Sequence, residues 1–84
     1  MLTNYEFAER VGCDFTMASR LKLGKRMPSA DLLVRIIRAF ELPPDEVIAA
    51  YEGGPTVFSR YLRTRVFGIP EEQDPGPEQQ ASDT

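Results

Sequence analysis

The feature that most constrains this chain is its punctuation. Gly12, Gly24, Pro28, the Pro43-Pro44 pair and the Gly53-Gly54-Pro55 run leave only short uninterrupted stretches. Glycine enters left-handed backbone at little cost and ends helices, and proline cannot continue one. Between the breaks the apolar spacing is helical. The clearest case is "ADLLVRIIRAFEL", where Leu32, Leu33, Ile36, Ile37 and Phe40 make a wide apolar stripe. Ahead of it, Thr3-Asn4-Tyr5-Glu6 has the form of a capping box, opening a helix from Asn4 to Val11 with Tyr5, Ala8 and Val11 turned inward beside Phe7. Asp14 is the N-cap candidate of a helix from Phe15 to Leu23, closed by Gly24. Pro28-Ser29 starts the striped helix, and Pro44-Asp45-Glu46 suits the first turn of a fourth, with Val47, Ile48 and Tyr51 buried. Thr56 is expected to cap a fifth, "VFSRYLRTRVF", lined by Val57, Phe58, Tyr61, Leu62 and Val66. A strand reading of that segment finds no second strand to pair with. The expected class is all-α, a compact bundle of about five short helices.

Eighty-four residues support one small domain. We expect it to occupy residues 1–67, with residues 52–67 as its C-terminal helix, followed by a tail over 68–84. The tail, "GIPEEQDPGPEQQASDT", has three prolines and a single large aliphatic side chain, too little to offset chain entropy, so it is expected to be disordered. It is either a solubilising end or an acidic arm that competes with phosphate for a basic surface. All five of its charges are acidic, so the net charge of −3 misrepresents the body. Residues 1–67 carry ten cations against eight acids, a net +2. One cysteine allows no internal disulfide; Cys13 reads as a small hydrophobe, and without histidine a metal site has almost nothing to use. There is no long apolar run and no leader-like start. No carboxylates pair on one helix face and no glycine-rich loop cradles phosphate, so no catalytic residues emerge. The expectation is a cytoplasmic, reduced protein with no cofactor, no metal, no membrane contact and no small-molecule substrate.

Within this frame, "NYEFAERVGCDFTMASRLKL" has the spacing of a helix, a three-residue turn containing glycine, and a second helix. Ala8 is small where the helices would cross, Gly12 sits in the turn, and Phe7, Val11, Cys13, Ala18 and Leu21 are the apolar positions. The next stretch holds four cations, Arg20, Lys22, Lys25 and Arg26, within seven residues. Such a cluster is either a solvated helix end that favours the negative pole of the dipole or a surface for phosphate.

The longer run "FAERVGCDFTMASRLKLGKRMPSADLLVRIIRAFELPPDEVI" resembles the lambda-repressor-like family of phage and bacterial regulators, the Cro/C1 type, over about residues 2–51. The Gly-Lys-x-x-Pro-Ser run, the Leu/Ile-rich helix and the "Leu-x-x-Asp-Glu" start of the next helix occur in the family's order. The resemblance implies double-stranded DNA as partner, with the Phe15–Leu23 helix in the major groove. Phe15, Thr16, Ser19 and Arg20 then point toward base edges, and Lys22, Lys25, Arg26 and Ser29 toward phosphate. Arginine can present two donors to guanine, Thr16 one to a base or phosphate, and Phe15 an apolar face to a thymine methyl.

Family members usually carry one more helix before this pair, where this sequence has only Met1-Leu2. An apolar groove beside Leu32, Ile36 and Phe40 would then need another cover. The fifth helix, through Phe58, Tyr61, Leu62, Val66 and Phe67, is the candidate, either folded back on its own domain or forming a homodimer. The dimer is the favoured expectation, since one such helix reads only a few base pairs. Arg60, Arg63 and Arg65 would form a solvated outer face or an added phosphate contact. Lys22 stands where relatives often have a glutamate paired to the first helix, and Leu23 packs under the Gly24 loop or against a partner. The leading reading is a sequence-specific transcriptional regulator, a Cro-like or immunity-type repressor. The alternative is a protein-interaction module on the same fold, such as an antitoxin or anti-regulator.

Overall fold

In the computed structural model, which describes residues 1–70, the chain is entirely helical among the described residues. It forms α1 (Asn4–Val11), α2 (Phe15–Leu23), α3 (Ala30–Ala39), α4 (Pro44–Glu52) and α5 (Pro55–Tyr61), and α5 runs on into a π-helical turn, Leu62–Val66. The expected tail lies outside the described residues from 71 onward. Gly68 and Ile69, grouped with it by composition, belong to the packed body: the Ile69 amide donates to the Arg63 carbonyl at 2.8 Å, and its side chain lies against the core.

The local signals act as their chemistry requires. The Thr3 amide donates to Glu6 Oε1 at 2.9 Å and the Glu6 amide to Thr3 Oγ1 at 3.1 Å, completing the capping box. The Thr3 amide on the Glu6 carboxylate, helped by the Thr3 side chain, holds that carboxyl below its ordinary range. Asp14 Oδ1 accepts from the Met17 amide at 2.6 Å, and Ser29 Oγ from the Leu32 amide at 3.2 Å.

The striped helix is shorter than its pattern, ending at Ala39 instead of Leu42. Leu42 precedes Pro43, and the residue before a proline is driven out of helical conformation. The chain turns through Glu41 at φ 50°, with the Leu42 amide returning to the Ile37 carbonyl at 3.0 Å. The fifth helix starts at Pro55, earlier than expected, and Thr56 does not cap it. Gly54 stands before it at φ 96°, and Pro55 has no amide hydrogen to satisfy at the first position. In α4, Ile48 is exposed, while Val47 and the small Ala50 face inward and Tyr51 is half-buried.

The core centres on three stacked rings. Phe7 of α1 lies between Phe40, at 5.6 Å between centroids, and Phe67, at 5.1 Å. The C-terminal segment therefore folds back over its own domain, and the Leu2 amide donates to the Phe67 carbonyl at 3.0 Å. The π turn sets which residues do this. A regular helix would follow Phe58 and Leu62 with Val66 on the buried side. The Phe67 amide instead bonds the Leu62 carbonyl, five residues back, at 2.8 Å, and the wider turn moves the inward position on by one. Phe67 is fully buried, Val66 and Tyr61 are half-buried, and Val57 is exposed.

Phe67→Ala should therefore lower unfolding free energy by about 3–5 kcal/mol, the usual cost of removing a core phenylalanine. Val66→Ala should cost far less, and urea denaturation of the two variants checks the ranking. Glu41→Gly should raise stability by about 1 kcal/mol, because it removes the strain of a side chain in left-handed backbone.

Candidate nucleic-acid interface

α2 is seated on one side and held at both ends. Ala18 and Leu21 are fully buried, so the opposite side of the helix is the free one. Thr16 and Arg20 are exposed there, Ser19 is half-buried, and Phe15 at the N-terminal end is 42% exposed. Leu23, two turns beyond Thr16, comes round to the same side; it is half-buried and outside the core cluster. The segment 15–29 contains no acid.

The turn before α2 is fixed by Gly12 at φ 84° and by a cross-link from α3. Arg35 Nη1 donates to the Gly12 carbonyl at 3.2 Å while its other nitrogen pairs with Asp31 at 2.8 Å. Cys13 is half-buried in this turn, and burial pushes its thiol up, away from the reactive thiolate.

At its far end α2 stops against the C-terminal helix. Gly24 is at φ 75°, and a Cβ there would lie 2.9 Å from Ser59 Oγ. Arg63, expected on a solvated face, is buried, and its Nη1 donates to the Lys22 carbonyl at 2.6 Å. A cation is thereby set at the negative pole of α2. Lys22, expected among the phosphate contacts, is placed elsewhere: its Nζ lies over the Phe67 ring, 4.9 Å from the centroid. Arg65 pairs with Glu46 at 3.5 Å.

Beyond Gly24 the chain presents Lys25 and Arg26, both exposed, ahead of the start of α3 at Ser29. The Ser29 hydroxyl is committed to capping α3, which leaves its backbone and the following amides as the available donors. The structure thus brings Phe15, Thr16, Ser19 and Arg20 onto one side of α2, with Lys25, Arg26 and Ser29 following in the loop, and separates Lys22 from them. Phe58, Leu62 and Phe67 are fully buried within this chain, with Tyr61 and Val66 half-buried beside them.

One exposed neighbour escaped the sequence reading. Tyr5, expected on the buried side of α1, is 72% exposed and stacks on Phe15 with 4.4 Å between centroids. Its position beside Phe7 and Ala8 suggested the core; only the close approach of α1 to the start of α2 reveals the pairing.

A family model described as Helix-turn-helix matches residues 1–47. The chain belongs to the lambda-repressor-like, Cro/C1-type helix-turn-helix family. No curated protein and no solved structure matches it significantly. Membership makes this a DNA-binding regulator of the Cro type. Among the described residues, no helix is long and apolar enough to cross a membrane.

Extending Gly24 by one methyl in this helix-turn-helix protein meets both the positive φ and the Ser59 contact. Gly24→Ala should cost at least about 1–2 kcal/mol, and Ser59→Ala in the same chain, which removes the 2.9 Å oxygen contact and keeps α5 helical, should offset only part of it, leaving the backbone strain and the Pro55 carbonyl contact. Thermal denaturation of the single and double variants separates the two.

Proposed function

We propose that this protein is a sequence-specific regulator of transcription, a repressor of the Cro or immunity type, that lays α2 in the major groove of double-stranded DNA. The observation that carries this is the division of α2. Ala18 and Leu21 are sealed into the core, while Thr16, Ser19 and Arg20 face outward with Phe15 at the leading end. Arg20 would present its two-pronged donor to guanine, and Thr16 and Ser19 a hydroxyl each to a base or nearby phosphate. Lys25 and Arg26, with the amides at the start of α3, would grip the backbone and set register without reading sequence.

A single short reading helix covers few base pairs, so two copies on a palindromic site are the arrangement we favour. Because Phe58, Leu62 and Phe67 are already buried in their own domain, such a pair would have to use other surfaces. An antitoxin-like or anti-regulator role, which an exposed Phe58/Tyr61/Phe67 face would suit, gains no support from this segment, where Phe58 and Phe67 are buried and Tyr61 is half-buried. A cytoplasmic, nucleoid-associated location follows from the partner.

Selection of bound sequences from a random DNA pool tests the reading. Two inverted half-sites about 10 base pairs apart are expected, and failure to enrich any sequence would sink it. Arg20→Ala should lose about 1–3 kcal/mol of discrimination at one base pair. Lys25→Ala should weaken all DNA alike and lower the slope of log affinity against log salt by about one. Titrations at several salt concentrations report both.

A further inference from the structure

The two rings at the start of α2 are not accounted for by packing. Tyr5 and Phe15 are 72% and 42% exposed, and neither belongs to the core cluster. Each comes from a different helix, yet they stack at 4.4 Å with a 39° tilt. They form one apolar step at the end of the helix whose outer side carries Thr16 and Arg20. Isolated exposed apolar side chains are ordinary. Two that hold each other at the surface present a shaped apolar contact instead.

Helices of this kind enter the groove with their N-terminal residues against the base edges. There the distinctive apolar feature is the methyl group on C5 of thymine. A phenylalanine at the first position of a helix has several directions open to it. Stacking on Tyr5 selects one before DNA arrives, so less freedom is lost on binding. We propose that Tyr5 and Phe15 together read a 5-methylpyrimidine, Phe15 touching the methyl group and Tyr5 acting as the positioning residue that holds the Phe15 ring outward. The inference rests on the DNA-binding reading above and adds to the expected Phe15 contact a positioning residue on α1, Tyr5.

The test uses the full chain and the DNA site obtained by selection, with thymines replaced one at a time by deoxyuridine. This removes the methyl group and leaves every hydrogen-bonding atom in place. One position in each half-site should weaken by about fourfold, the worth of one buried methyl-sized group at about 0.8 kcal/mol. In Tyr5→Ala the ratio between thymine and uracil sites should fall close to one, and Tyr5→Phe, which keeps the ring, should retain it. Phe15→Ala should abolish it independently. Arg20→Ala should weaken both sites and leave their ratio intact, which separates methyl reading from general loss of binding. Tight binding with no thymine sensitive to the change would overturn the inference while leaving the DNA-binding reading standing. So would a methyl ratio that survives in Tyr5→Ala. If no DNA is selected at all, the underlying reading fails and takes this one with it.

Discussion

The stack of Phe40, Phe7 and Phe67 is the interaction on which the rest of the structure depends. It joins the C-terminal end of α3, α1 and the segment after the π turn through nearly parallel faces, with centroid separations of 5.6 and 5.1 Å. Offset ring contacts add about 0.5–1.5 kcal/mol each beyond the area they bury. In a domain this small, where surface is large relative to core, that is a substantial fraction of net stability. Arg10 lies over Phe40, 5.7 Å from its centroid, and Lys22 lies over Phe67. The apolar column is thus flanked by two cations whose stems shield it. The π turn is what allows the column to form, because it carries Phe67 past the position that a regular helix would have given to Val66.

The same C-terminal segment governs α2. Arg63 meets the Lys22 carbonyl, Ser59 lies against Gly24, and Phe67 holds the Lys22 ammonium. All three contacts are at the end of α2 remote from Phe15. The opposite end is held by the Asp14 cap and, through the turn, by Arg35 on the Gly12 carbonyl. A helix that reads bases must have a fixed direction, since a displacement of its leading end by about an ångström is enough to spoil contact geometry. Here that direction is fixed at both ends, and the middle needs only Ala18 and Leu21 as its seat. Burying a guanidinium is costly unless its donors find acceptors. Arg63 offsets part of that cost by meeting, through Nη1, a carbonyl that α2 would otherwise leave open.

Much of this was legible in the sequence because it depends on local chemistry. The caps at Thr3, Asp14 and Ser29 and the stops at Gly12 and Gly24 each involve residues within a few positions of one another, and they place α1, α2 and the start of α3 correctly. The inward positions of α2 follow from spacing alone. The departures have longer-range causes. Thr56 lost the cap to Gly54-Pro55 because a proline at the first helical position needs no donor satisfied. Tyr5 looked like core because α1 has an apolar run, and its true partner lies in the next helix. The Val66-to-Phe67 shift depends on a π turn, for which a 3.6-residue period has no sign. Arg63 and Lys22 read as surface charges because a cation's destination is decided by whichever carbonyl or ring arrives beside it from a distant part of the chain.

The placement of Lys22 also sharpens the electrostatics of the interface. With its ammonium over Phe67, the outward charge of the 15–29 segment is carried by Arg20, Lys25 and Arg26, one on α2 and two in the loop. The whole chain is net negative at −3, which taken alone would argue against a polyanionic partner. Charges separated by more than about 8–10 Å of salty water are largely screened from one another. What a phosphate backbone meets at close range is therefore the local sign, and from Phe15 to Ser29 that sign is positive without interruption. In the proposed docking, Lys25 and Arg26 in the loop anchor the backbone beside the groove while Phe15, Thr16 and Arg20 on α2 approach the bases. On that proposal, affinity and selectivity fall to different side chains of one short segment.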